Sequence, residues 1–207
     1  MVTMTSAPRS GPDAWDQMYE TPPAWDIGRP QPALLALFES GTVRGRVLDI
    51  GCGTGEHVLL AASHGLDATG VDVSAAAVGM ARSKAAERGV SDVRFVVGDV
   101  LQPATVEALD GPYDTVTDCG VFHVFSDEDR ARYVASLREL LRTGGTYVML
   151  VFSDEEPAGW GPRRVSQDEI RAALGHGWQI SSINPTHMDV RIPSVRPHCW
   201  LTIATAI

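Results

Sequence analysis

Three cysteines in 207 residues are too few and too scattered for a disulfide framework or a zinc pattern. Cys52, Cys119 and Cys199 stand far apart, so a reducing cytoplasm is the expected setting. Positive charge is also scarce. Seventeen Lys and Arg against 26 Asp and Glu leave a net charge of −9, which argues against a nucleic-acid surface, because phosphate binding needs clustered cations. No apolar run approaches the roughly 18 residues of a membrane span. The front, MVTMTSAPRSGPDAW, has no apolar core of a secretory signal. Metal ligands are not grouped: Asp127, Glu128 and Asp129 crowd a helix start, where acids suit the macrodipole. The phosphate loop G-x-x-x-x-G-K-[ST] is missing. No Tyr-x-x-x-Lys pair follows any tyrosine.

Aromatics make up only 7% of the chain, yet Trp15, Tyr19 and Trp25 fall within eleven residues. They surround PPAWDIGRPQPAL (22–34), where four prolines rule out a helix interior or a central strand. Disordered tails rarely carry such aromatics, so this segment has a defined task. The first twelve residues are small, polar and Pro/Gly-rich, and are expected to be a mobile tail.

The rest of the chain alternates strands and helices. Strands are expected at 47–50, 66–72, 93–99, 113–122 and 146–153, with WQISSI and CWLTIAT as the last two. Helices are expected after Gly55, with Gly65 as the stop; after Ser74, ending at Gly89; and after Ser126, ended by Gly144-Gly145. Ser166 and Glu169 form a capping box before one more helix. This alternation predicts an α/β fold, a three-layer doubly wound Rossmann-like sheet of seven mostly parallel strands. Ligands of such sheets sit at the carboxyl ends of the strands, here Gly51, Asp72, Asp99 and Cys119–Phe122.

DIGCGTGEH (49–57) is a G-x-G-x-G turn between strand and helix, with Gly51, Gly53 and Gly55 permitting close backbone approach. By itself such a loop is also read as a tight turn. Asp72 ends the second strand about 20 residues on, where an acid accepts hydrogen bonds from ribose hydroxyls. Glu56 stands where a dinucleotide fingerprint has glycine, and its charge would repel a pyrophosphate on the helix N-terminus. A nucleoside without phosphates remains.

VLDIGCGTG (47–55), Asp72 and the GDV of 98–100 together resemble the class I S-adenosylmethionine-dependent methyltransferases. The front, W-x-x-x-Y…PAWDIGRPQPAL, resembles the thiopurine, thiol and halide methyltransferases within that class, as do DxxR at 127–130 and GPRRVSQDEI at 161–170. The resemblance implies one methyltransferase domain over 1–207, with a lid at 13–34 and a Rossmann-like core at 43–207. It implies a glycine loop under the methionine and ribose, Asp72 with Val73 at the ribose, Asp99 and Val100 at the adenine, and Cys119 beside the cofactor. Trp15, Tyr19 and Trp25 match the lid aromatics. An aromatic face suits a methylsulfonium, and a closed lid excludes water. The alternative is that the tryptophans plug a core edge. Asp26 and Arg29 would pair with each other, or Arg29 would meet the cofactor carboxylate.

On the acceptor side stands DCGVFHVF (118–125). Cys119 replaces the family's tyrosine, which puts a halide acceptor in doubt; it reads as a packing residue rather than a nucleophile. His123 is a candidate base for a hydroxyl or thiol, or a satisfied structural histidine. Phe122 and Phe125 would wall the acceptor pocket. Arg130 resembles an arginine that the family uses near the site, or else forms an ion pair on its helix. The expected activity is methyl transfer to a small molecule, a thiol or another soft nucleophile. The alternatives are O- or N-methylation of a small aromatic or lipophilic acid, and a nucleoside-binding regulatory module without turnover.

Overall fold

The computed structural model describes residues 11–106 and 108–207. Of the expected tail, residues 1–10 lie outside the described residues. The first elements are two short helices, α1 (Pro12–Met18) and α2 (Pro32–Glu39). Each carries proline in its first turn, where the missing N–H has no intrahelical partner to lose. The front is therefore less irregular than its prolines suggest, and Trp15 stands on a helix.

Strands β1 (Arg46–Ile50), β2 (Asp67–Asp72), β3 (Val93–Val97), β4 (Tyr113–Cys119), β5 (Leu141–Phe152), β6 (Trp178–His187) and β7 (His198–Ala206) form one seven-stranded sheet in the order β3-β2-β1-β4-β5-β7-β6. The first five strands pair in parallel; β7 runs antiparallel to both β5 and β6. Helices α3 (Glu56–Ser63), α4 (Ala75–Glu87), α5 (Asp127–Leu140) and α6 (Gln167–Ala173) complete the chain. No described helix is long and apolar enough to cross a membrane.

Alternating strand residues feed two cores. On one face Leu48, Ile50, Val116 and Met149 meet Tyr133, Leu137 and Ile170. On the other, Val47, Ala68 and Val148 meet Val58, Val78, Ala81 and Phe38. The local start signals operate as read. Ser74 and Ser126 accept from the third residue of their helices, and Ser166 and Glu169 make a reciprocal capping box.

Gly144 and Gly145 do not end α5. That helix stops at Leu140, Leu141 is extended, and β5 begins there. The glycines sit where the β4–β5 register jumps from Tyr113↔Leu141 to Thr115↔Thr146. A side chain on Gly145 would meet the carbonyl oxygens of Arg142 and Asp114 at 2.8 and 3.2 Å, so the pair permits a bulge. The third and fourth strands also end earlier than expected, at Val97 and Cys119; a 3₁₀ turn takes Phe122–Val124.

Candidate active site

The strand order reverses between β1 and β4, and the glycine loop lies at that switch point. Gly51, Gly53 and Gly55 all have left-handed backbones, with φ of 61°, 51° and 86°. Neighbours exclude a Cβ at Gly51 and Gly55 and crowd one at Gly53. One on Gly51 would land on Cγ2 of Val121, and one on Gly55 would lie 2.7 Å from the Phe95 ring. The Tyr19 hydroxyl stands 3.0 Å from where a Gly53 Cβ would be.

Asp72 organises this loop. Its Oδ2 accepts from Gly53 N at 2.8 Å and its Oδ1 from Ser74 N at 2.9 Å. Burial pushes its carboxyl up from the usual range, against those two N–H groups. Asp49, one of the residues that sequence reasoning passed over, ends β1 from inside. It is 2% exposed, and its Oδ1 accepts from Thr117 Oγ1 at 2.6 Å. Its Oδ2 has no hydrogen-bond partner among the described residues. His57 Nδ1 faces it at 3.8 Å, and since His57 Nε2 accepts from Gln31 N, Nδ1 carries the ring proton. An acid inside the apolar run VLDI was the available signal. Asp99 turns back on its own loop, accepting from Leu101 N and Gln102 Nε2, while Val100 is buried and Val73 half-buried.

The front segment lies against this loop through polar contacts. Trp25 packs edge-on to both Trp15 and Tyr19, with centroids 6.3 Å apart in each pair, and its indole donates to the Tyr19 hydroxyl. Tyr19 is 6% exposed; Trp15 and Trp25 are half-buried. Burial beside Asp72 raises the Tyr19 phenol, which stays neutral. Thr54 Oγ1 donates to Asp26 and accepts from Lys84 Nζ, and Lys84 with Arg88 holds Glu56. Those two cations keep the Glu56 carboxyl below its usual range despite burial. The repulsion expected from Glu56 is thus largely offset. Arg29 does not pair with Asp26. It reaches Asp189 in the β6–β7 loop at 2.5 Å, while the buried Gln31 exchanges two hydrogen bonds with the Asp189 backbone.

At the end of β4, Cys119 is half-buried, and burial beside Asp49 and Asp118 pushes its thiol up, which fits packing rather than attack. Asp118, whose part the sequence did not disclose, accepts from Val121 N, Phe122 N, Tyr133 Oη and Tyr147 Oη. Burial raises it to about 6. Phe122 is buried in the core under the Arg130 guanidinium, 4.5 Å from its ring, and is not a free pocket wall. Arg130 is 5% exposed and tied to the Phe122 carbonyl and to Glu169. Its nearer ion pair is with Glu169 of α6, at 3.1 Å, and a longer one, at 3.9 Å, runs to Asp127 along its own helix. Phe125 is half-buried on Tyr133.

Of the two readings of His123, the geometry favours the satisfied structural histidine. It is 6% exposed, and its Nδ1 accepts from Phe152 N at 3.1 Å. Burial, with Arg130 and Arg164 nearby, lowers it to about 3. A neutral ring that accepts at Nδ1 carries its proton on Nε2, so it is a donor and no base. Because the folded pKa lies below the ordinary histidine value, the unfolded chain takes up the extra proton first as pH falls. Stability from the neutral ring is whole above about pH 6.5 and is lost toward pH 3. We therefore predict that wild type loses about 1.4 kcal/mol per pH unit relative to His123→Gln below that point. Asp118 is common to both proteins, so its opposite titration drops out. Urea unfolding of both from pH 7 to pH 4 measures the difference; parallel curves would mean an ordinary, solvated histidine. Turnover at pH 7 should change less than about tenfold, whereas loss of a true base costs roughly a hundredfold or more.

These residues fit a nucleoside that carries an amino-acid tail. Left-handed glycines present backbone to it, Asp72 offers two oxygens at a strand end, and the orphaned Asp49 oxygen suits a cation. A family model described as a methyltransferase domain matches residues 47–145. The 2-heptyl-1-hydroxyquinolin-4(1H)-one methyltransferase of Mycobacteroides abscessus is 36% identical over 178 residues, covering 85% of this chain and 77% of the relative. The probable thiol methyltransferase 2 of Arabidopsis thaliana is 30% identical over 165 residues, covering 77% and 70%. A solved structure described with the conversion of a disulfide bond into a thioacetal group during echinomycin biosynthesis superposes with a TM-score of 0.83. It is 34% identical and covers 94% of this chain and 92% of that one.

Proposed function

The chain belongs to the class I S-adenosylmethionine-dependent methyltransferases, and from that premise we propose that it methylates a small apolar molecule carrying a soft, anionic nucleophile, a thiolate first. One observation carries the choice. The histidine at the acceptor end of the sheet is buried, neutral and already hydrogen-bonded, so the acceptor must ionise without it. A thiol does so near neutral pH; an alcohol does not.

When bound, S-adenosylmethionine supplies an activated methyl group. Gly51, Gly53 and Gly55 would let the loop approach it, Asp72 would accept from the ribose hydroxyls beside Val73, and Asp49 would meet the ammonium. Asp99 and Val100 border the adenine. Trp15, Tyr19 and Trp25 close over the site, with Cys119 and Phe125 at the acceptor side. Displacement in line needs a desolvated nucleophile held close, which an aromatic lid provides. Phe122 and Arg130 act on the acceptor side through the turn they hold rather than by contact. Three free thiols suit a cytoplasmic setting.

The likeness to a thiol methyltransferase and to the disulfide-to-thioacetal protein supports the thiolate reading. A second reading follows from the 36% identical relative: the acceptor is an acidic N-hydroxy heterocycle, also anionic without an enzymic base. Both predict transfer of labelled methyl to aryl thiols or hydroxyquinolones and none to aliphatic alcohols. A panel of thiols, hydroxyquinolones, phenols, carboxylates and alcohols separates them. Alcohol methylation above the thiol rate would sink the proposal.

A further inference from the structure

We propose that Asp16 is a positioning residue that couples the front helix to Asp72, so that docking of α1 sets the geometry of the cofactor acid. The inference rests on the reading of Asp72 as a cofactor contact. Asp16 Oδ1 accepts from Ser74 Oγ at 2.6 Å and from Ala76 N at 3.0 Å. Ser74 is fully buried. Its hydroxyl oxygen accepts from Ala77 N at 3.1 Å, and its backbone N donates to Asp72 Oδ1 at 2.9 Å. Asp72 Oδ2 in turn accepts from Gly53 N at 2.8 Å. A continuous chain of contacts therefore runs from the front helix to the glycine loop, its first link joining residues 58 apart in sequence.

The chemistry makes Ser74 a junction. A hydroxyl has one proton, and here it goes to Asp16; its lone pairs are left to cap α4. With Asp16 gone, that proton competes for other acceptors, among them the neighbouring Asp72 oxygen. Asp16 also supplies a negative charge at the start of α4, where free N–H groups favour one, and those bonds hold its own carboxyl below the usual range. The front helix has few other ties to α4: α1 contains no buried residue, so its attachment is polar and local rather than apolar. Such an attachment opens and closes readily. By linkage, a ligand that orders Asp72 must favour docking of α1 by the same factor that docking favours the ligand.

The test uses S-adenosylhomocysteine as probe, calorimetry for affinity and hydrogen exchange across residues 12–18. Asp16→Ala and Ser74→Ala should each raise its Kd about tenfold, and the double variant no further, because the residues act in one chain. Asp16→Asn keeps an acceptor oxygen and should stay within about threefold of wild type. Ligand-induced protection of α1 should vanish in Asp16→Ala. A lowered melting temperature with unchanged Kd would make Asp16 a helix cap only and overturn the inference, as would additive effects in the double variant. Asp72→Ala separates the two failures. If it weakens binding while Asp16→Ala does not, the coupling is wrong and the cofactor reading stands. If Asp72→Ala binds normally, both fall.

Discussion

Asp72→Ala is expected to weaken S-adenosylhomocysteine binding by about 1.5–3 kcal/mol, because charged hydrogen bonds to a ligand carry that much. The upper end is favoured. The carboxylate also holds Gly53 N and Ser74 N, so its removal leaves two loop donors without partners. Asp72→Asn separates the contributions. Its amide oxygen can still accept one backbone N–H, but its NH₂ would face the other, so binding should fall nearly as far. Calorimetry on the folded variants measures both. Unchanged affinity in Asp72→Ala would remove the ribose assignment.

The second large effect concerns the front. Deleting residues 1–28 should leave a folded protein whose S-adenosylhomocysteine affinity is down about a hundredfold or more, with turnover lost. None of the buried apolar clusters contains a residue between 11 and 28. The segment holds on through Asp16, Asp26 and the Ala24 carbonyl, which accepts from Arg191 N, with Tyr19 as its one buried aromatic. The ligand-free melting temperature should therefore fall by no more than about 4 °C, the scale of a kcal/mol in a chain of this size. Hydrogen exchange over 13–34 should be fast without ligand and slow with it. An insoluble truncation, or equal strong protection in both states, would mean a permanent core element.

What was legible in the sequence was local. The run VLDIGCGTG and the caps Ser74, Ser126 and Ser166 show in a few neighbouring residues, and Asp72 shows by its fixed spacing from the glycines, so the sequence reveals them. The misreadings came where a distant partner decides. Gly144-Gly145 look like a helix stop until β4 is beside them and a bulge needs their missing side chains. Arg29 looks like a partner for Asp26 until the loop carrying Asp189, 160 residues on, is folded against it. His123 stays open between base and structural residue until burial and the Phe152 amide claim its lone pair. Trp15 stands on a helix that proline starts rather than prevents. Asp16 gave no local signal, since its partners belong to α4.

The embrace of the front segment by the β6–β7 loop has a consequence for how the protein is made. Arg29 and Gln31 bind Asp189, and Arg191 N donates to Ala24 O. Residues 24–31 therefore wait for residues 189–191 before these contacts can form. Through most of synthesis the glycine loop and Asp72 exist with no cover from the hairpin side. A nascent chain stalled before residue 189 would hold the glycine loop and Asp72 yet lack the Asp189 and Arg191 contacts to the front segment. A change in the β6–β7 loop is therefore felt by the front segment, about 160 positions away in sequence.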